Sequence, residues 1–407
     1  MKFKSVFVFY CLSMGILIGI FSALFLSLVN FLIHSVWHTI PSYLNLPFYP
    51  LLVGLLGGLL IGLFQTKVGD YPKTMHDTLA EFKDNNKVTY TNYQIIKNFF
   101  SALIVLAFGA SLGPEAALAS LLGSMISWLG DRMKWTLARK EELVNLGTAA
   151  ILSIIFRAPF AGLSEPLEEQ YEQKSFRFNW KKLLLYGLTT ASGILSFSLT
   201  SQLFPKEAVF TLRFPKVEWT REVFLLIIPA LVLGFLFGHL FLIIETVTKE
   251  IAKKIEKPLI LTLIAGLFIG IFAMLSPYFL YSGEHEILSF SKEASQMGTL
   301  SLLSIAIGKA LLTNICFSFK WRGGKIFPAI FSSASAGFVL ANLFPYTPAL
   351  TIGVVVAASV TTIMKQPLVV AALLLFLFPI QFFPFILFTC LLISSLSSYL
   401  TKDKSMV

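Results

Sequence analysis

The sequence predicts an all-α, polytopic membrane protein, and three observations lead there. Of its 407 residues 56% are hydrophobic and 14% aromatic, too apolar for a soluble core of that length. About a dozen apolar stretches approach the ~20 residues that span a bilayer. Two of these stretches are preceded by short breaks rich in glycine and proline, one in each half: Ser111-Leu112-Gly113-Pro114-Glu115 and Arg322-Gly323-Gly324-Lys325-Ile326-Phe327-Pro328. Irregular backbone survives at membrane depth only where protein or a watery cavity receives it. Each break is therefore expected to be an unwound segment feeding a half-helix.

In chain order, spans are expected at 7–31, 49–64, 95–108, 116–129, 183–203, 223–244, 259–280, 300–317 and 329–343. A last stretch at 351–400 is broken by Pro367, Pro379 and Pro384. The first run, preceded by Lys2 and Lys4, is longer than a secretory signal core and has no small-residue cleavage site, so it is taken as a retained span. Pieces too short to cross alone are expected to be half-helices. Charge gathers at 69–93, 131–142, 170–182 and 204–221, as loops require. No soluble domain is expected after Leu400.

The net charge of +10 comes mainly from basic loops at 132–140, 174–182 and 253–257. That distribution fits the positive-inside bias and anionic lipid headgroups of the bilayer, and excludes nucleic acid as the partner. Cys11, Cys316 and Cys390 lack paired spacing, so neither disulfides nor zinc is suggested. His285 heads the densest titratable cluster, Gly283-Glu284-His285-Glu286, but a zincin needs a second histidine where Ser289 stands. His34, His38, His76 and His239 are scattered and are read as interfacial or packing residues. No metal site and no cofactor is expected. Without a nucleophile and base pair, neither is enzymatic activity.

A repeat relates the halves. Ala149-Ala150 precede Pro159-Phe160 as Ala357-Ala358 precede Pro367-Leu368, with Arg157 and Lys365 two positions before each proline. In both halves this element follows a broken segment, which is what a duplicated transporter leaves in sequence. Residues 1–205 and 206–407 are the two expected transmembrane repeats. Helix N-termini carry unpaired N–H groups and partial positive charge, so two of them converging in the membrane make an anion pathway.

These segments resemble those of the CLC chloride channels and proton-coupled chloride antiporters. Gly113-Pro114 is similar to the end of the family's Gly-Arg/Lys-Glu-Gly-Pro motif; Arg157-Ala158-Pro159-Phe160-Ala161-Gly162 with Glu168-Glu169 resembles its Asn-Ala-Pro-Leu-Ala-Gly segment and paired glutamates. Gly323-Gly324-Lys325-Ile326-Phe327-Pro328 resembles Gly-Gly-Ile-Phe-x-Pro, and Lys365-Gln366-Pro367-Leu368 resembles Arg-Ala-Pro-Leu. The resemblance implies a homodimer of inverted repeats in the cell membrane, one pore per protomer, carrying chloride or a related small anion. It further implies backbone amide donors at Ser111, Leu112 and Gly113 and at Lys325, Ile326 and Phe327. Backbone donors hold an anion without a fixed full charge, weakly enough for release.

The departures bear on mechanism. Leu112 stands where the family has its gating glutamate, and Gly69 where it has a serine near the first ion site. No helix bearing the family's coordinating tyrosine is expected beyond Tyr399. A leucine neither swings as a charged plug nor carries a proton, which favours channel-like conduction. The alternatives are proton-coupled exchange, with Glu115 as replacement gate and Glu169 as proton residue, and a fold that has lost transport and serves as a sensor or assembly partner. Glu115 reads equally as a first-turn cap. Glu165 is placed to pair with Arg157, Lys325 to raise the potential along the pathway, Arg322 in a structural role, and Lys309 calls for a carboxylate partner.

Overall fold

The apolar runs become helices, and the glycine and proline breaks become the points where they stop. The computed structural model describes residues 5–44, 46–69, 92–132, 137–156, 158–172, 180–205, 224–284, 286–344 and 348–404. Among them are α1 (Ser5–His34), α2 (Tyr49–Val68), α3 (Asn92–Ala107), α4 (Glu115–Arg132), α5 (Leu137–Ile155), α6 (Pro159–Glu172) and α7 (Trp180–Ser201). After these follow α8 (Ile227–Lys253), α9 (Pro258–Leu275), α10 (Ile287–Glu293), α11 (Thr299–Ser318), α12 (Ile326–Leu343), α13 (Pro348–Met364), α14 (Pro367–Leu374) and α15 (Phe383–Lys404). A π turn, Ser35–Thr39, and a short helix, Ile40–Leu44, extend α1. Eight helices among the described residues are long and apolar enough to cross a membrane, so the protein is multi-pass.

The expected spans are found, with two differences. The stretch at 351–400 divides into α13, α14 and α15; Pro367 and Pro379 mark its breaks, while Pro384 sits in the first turn of α15, where a missing N–H costs nothing. Helix α5 was not expected as a span. Its first residues include Arg139-Lys140-Glu141-Glu142, which hide the apolar run Leu143 to Ile155 from a hydropathy window.

Neighbour relations in the first half recur in the second. Helix α3 packs on α4 as α11 does on α12, α4 on α5 as α12 on α13, α5 on α6 and α7 as α13 on α14 and α15, and α6 on α7 as α14 on α15. Likewise α1 meets α3 and α5 as α8 meets α11 and α13. Two pairs join corresponding elements across the halves, α2 with α9 and α6 with α14. The α2–α9 crossing is backbone on backbone: a Cβ on Gly54 would overlap the Gly266 carbonyl, and one on Gly266 the Gly54 carbonyl. Small residues at four-residue spacing permit this approach, and close packing rather than water exclusion holds helices together in lipid.

Lys309 needs no carboxylate, which corrects the expectation. Its fully buried ammonium donates to the carbonyls of Phe279 (3.1 Å), Leu280 (2.6 Å) and Tyr281 (2.7 Å) and lies 5.2 Å from the Phe331 ring centroid. Three N–H donors meet three oxygens at and just beyond the end of the short 3-10 helix Pro277–Phe279. Replacing Lys309 by methionine strands those carbonyls, at an expected cost of roughly 2–3 kcal/mol. Thermal unfolding in detergent should show a clear drop in midpoint for Lys309→Met and none for Lys253→Met, whose side chain is exposed; equal midpoints would contradict the clamp.

Candidate functional site

The two broken segments meet. Helix α3 stops at Ala107, and Gly109 turns the chain at φ 83°, a conformation open to glycine. A Cβ there would also press on the Trp37 ring. On the other side, α11 ends at Ser318, and Lys320 at φ 73° turns the chain back. Trp321 fixes that turn: it is fully buried, its amide donates to the Cys316 carbonyl (2.9 Å) and its indole Nε1 to the Thr262 carbonyl (2.9 Å). Gln65 Nε2 adds a bond to the Lys320 carbonyl (2.5 Å).

Between these turns Gly113 and Gly324 pair as a single antiparallel bridge, with N–H to carbonyl distances of 2.8 and 2.9 Å. The bridge satisfies two backbone units that no helix can serve at this depth. It requires both glycines, because a Cβ on either would overlap the Glu115 carboxyl group. Leu112 is buried against Gly323, its Cβ within 2.8 Å of where a Cβ on that glycine would lie. Ser111 Oγ shares a hydrogen bond with Thr313 Oγ1 (2.9 Å).

Of the six residues expected to offer amides, Leu112 donates to the Ala110 carbonyl (2.8 Å) and Gly113 to Gly324, so both N–H groups are engaged. Ile326, first residue of α12, donates its N–H to Glu115 Oε1 (3.0 Å). Phe327 follows in the same turn with its ring stacked on Phe156, centroids 3.9 Å apart and planes 3° from parallel. Glu115, itself the first residue of α4, is 5% exposed, and its Oε2 is buried without a hydrogen-bond partner among the described residues. A carboxylate of one half thus occupies the helix N-terminus of the other. Only an anion or a good acceptor is stable in that seat.

Lys325, the residue before α12, does not reach Glu115. Its Nζ lies 2.7 Å from Glu245 Oε1 and 4.3 Å from the Phe317 ring centroid, and Glu245 also holds Lys249 (2.6 Å). Two ammonium groups therefore share one carboxylate at the end of α11, leaving a net positive cluster beside the α12 entry.

The paired glutamates of α6 divide by helix phase. Glu169 is half exposed and ion-paired with Lys182. Glu168, one residue earlier, is buried and accepts from the amides of Leu368 (2.6 Å) and Val369 (3.0 Å), the first turn of α14. Glu168 figures in the sequence motif only as the first of the paired glutamates. One signal for its role lies in the sequence: Pro367 opens a helix, and Gln366 before it is a poor N-cap residue. Both glutamates line a cavity of about 180 Å³ with Asn145, Glu165, Tyr186 and Gln366. Arg157, expected to pair with Glu165, lies outside the described residues, as do His76 and His285.

The family profile described as voltage gated chloride channel matches residues 57–399. No curated protein matches the sequence. Among solved structures the chain is similar to a CLC-type fluoride/proton antiporter at 21% identity and TM-score 0.77, covering 97% of this chain and 96% of that one. It is similar to a slow cyanobacterial Cl-/H+ antiporter at 20% identity and TM-score 0.76, covering 95% and 92%. A eukaryotic CLC transporter gives 13% identity and TM-score 0.70, covering 96% of this chain and 72% of its own.

The overlap at Gly324 is testable. Gly324→Ala is expected to lower stability by about 1–3 kcal/mol, as overpacking does. Every atom that the new methyl would meet within 2.5 Å belongs to Glu115. Adding Glu115→Ala should therefore restore most of the loss in a thermal-unfolding cycle; additive losses would show that the two residues do not share the site.

Proposed function

Because the chain belongs to the voltage-gated chloride channel, or CLC, family, we propose that it moves chloride or a related small anion across the membrane through the junction of the two broken helices, with Glu115 as the residue an anion displaces. The observation that carries this reading is the Glu115 carboxylate seated on the Ile326 amide. A tethered carboxylate and a free halide then compete for one set of N–H donors. Protonation removes the charge that holds Glu115 there, so anion occupancy rises as pH falls, and a proton taken up by Glu115 is linked to an anion bound. That linkage is the elementary step of anion–proton exchange. The amides of Ile326 and Phe327 are assigned to the anion, with Ser111 Oγ at the far side of the bridge. Leu112 and Gly323 seal the space between.

Conduction without protons is the second reading, and two observations favour it. Leu112 carries no ionisable group at the family's gating position, and the ion pair of Glu169 with Lys182 keeps the inner proton candidate at the surface. Lys325 serves the pathway as a source of positive potential shared with Lys249. The repeats 1–205 and 206–407 are assigned one helix N-terminus each, and by analogy with the family the assembly is assigned as a homodimer with one pathway per protomer. The anion itself is assigned only as small and singly charged, since amide donors accept chloride and fluoride alike.

Flux from purified protein in vesicles separates the readings. Exchange predicts that a chloride gradient drives acid movement, that Glu115→Gln keeps anion flux but loses at least tenfold of the coupled proton flux, and that acidification raises flux only with glutamate present. Voltage-driven chloride efflux with no proton movement would reject exchange in favour of conduction. Identical flux and pH dependence in the wild type and Glu115→Gln would reduce Glu115 to a helix cap.

A further inference from the structure

Two histidines stand at the C-terminal end of α1. His34 ends α1 and His38 lies in the π turn that follows; both are exposed, and their ring centroids are 5.4 Å apart with planes 34° from parallel. The turn is widened, as the Ile40 N–H reaching the Ser35 carbonyl shows, and single π turns recur at functional positions. Two imidazoles bound to one tetrahedral zinc place each nitrogen about 2.0–2.1 Å from the metal, hence the ring centroids roughly 5.2 Å apart. The observed spacing is within a few tenths of an ångström of that value.

Thr39 adds an independent observation. Its hydroxyl lies 3.2 Å from His34 Nδ1 and donates to the His34 carbonyl at 3.4 Å. With the hydroxyl proton directed to the carbonyl, the threonine oxygen can accept from Nδ1–H, and in that tautomer Nε2 of His34 is a bare lone pair, the outer-shell arrangement found around metal-bound histidines. The neighbouring side chains include the polar Ser35, Thr39 and Ser42.

We propose that His34 and His38 form a binding site for a divalent transition ion of the zinc class, with Thr39 orienting His34. Imidazole pairs suit Zn²⁺, Ni²⁺ and Cu²⁺ over Mg²⁺ or Ca²⁺. Among the described residues no third histidine, cysteine, aspartate or glutamate completes a cluster, so water fills the other positions and exchange is fast. The place has consequences for the anion junction. Between the two histidines stands Trp37, whose indole Nε1 donates to the Ala107 carbonyl (3.0 Å) and whose ring packs over Gly109, the turn that leads into Ser111 and Gly113. Tyr49 holds the same turn through the Val36 carbonyl (2.5 Å). A metal bridging His34 and His38 stiffens the segment against which that glycine turn is built.

Zn²⁺ titrated calorimetrically into the full chain in detergent tests the site without reference to transport. One saturable ion per chain is expected, together with a rise in unfolding midpoint on adding Zn²⁺. His34→Ala and His38→Ala, or the corresponding glutamine variants, should each weaken binding at least tenfold and abolish the rise. Thr39→Val should weaken it severalfold, while His239→Ala leaves it unchanged. Absence of saturable binding, or less than a threefold effect of both His34 and His38 substitutions, overturns the proposal.

Discussion

Buried helix N-termini are the constraint on which this molecule rests. Helices α12 and α14 begin against the other half of the chain, and each receives a carboxylate from it: Glu115 on Ile326, and Glu168 on Leu368 and Val369. Burying a carboxylate costs several kcal/mol unless donors surround it, and burying an N-terminus leaves donors without acceptors. Joined, each offsets the penalty of the other, and the contact ties the two halves together. The Gly113–Gly324 bridge follows from this arrangement, since only hydrogen at both Cα positions leaves room for the Glu115 carboxyl group.

The two halves share neighbour relations between their helices but differ in charge. Aligning Pro114 with Pro328 places Ala329 opposite Glu115 and Lys325 opposite Ser111; aligning Pro159 with Pro367 places Phe376 opposite Glu168. Both capping carboxylates therefore come from the first half and both capped termini belong to the second. The cation at the junction comes from the second half and is held back by Glu245, which it shares with Lys249. On the proposed reading, an anion entering the junction would meet neutral dipoles on one side and an acid on the other, with the full positive charges set at its edge, an arrangement suited to attracting an anion without trapping it.

Much of this was legible because breaks are local. Glycine and proline at 113–114, 323–324 and 328 interrupt membrane helices through their own φ preferences and missing N–H groups, wherever the neighbours lie. The partners were not legible, because they depend on packing between distant segments. Lys309 finds three carbonyls some thirty residues upstream, and no pattern of charged residues announces an acceptor that is backbone. Glu168 and Glu169 are adjacent in sequence, yet one helical step of about 100° sends one into the protein and the other to Lys182. Helix α5 escaped because its entrance is charged, which lowers the hydropathy of any window that includes it.

How Glu115 differs from a carboxylate at position 112 is a matter of what can move. Residue 112 lies in the irregular strand, whereas residue 115 opens a helix whose first turn is already closed by Leu118 N–H on the Pro114 carbonyl (2.9 Å). Its Cα is held again, two residues earlier, by the Gly113–Gly324 bridge. Vacating the seat therefore falls to the side-chain torsions of Glu115 alone, a motion that leaves both helices and the bridge in place. On the proposed reading, a departing carboxylate would also strand the Ile326 amide, which would favour an incoming anion at the moment the acid leaves. Exchange of one negative group for another, with no net opening of the backbone, is the motion this geometry permits at least cost.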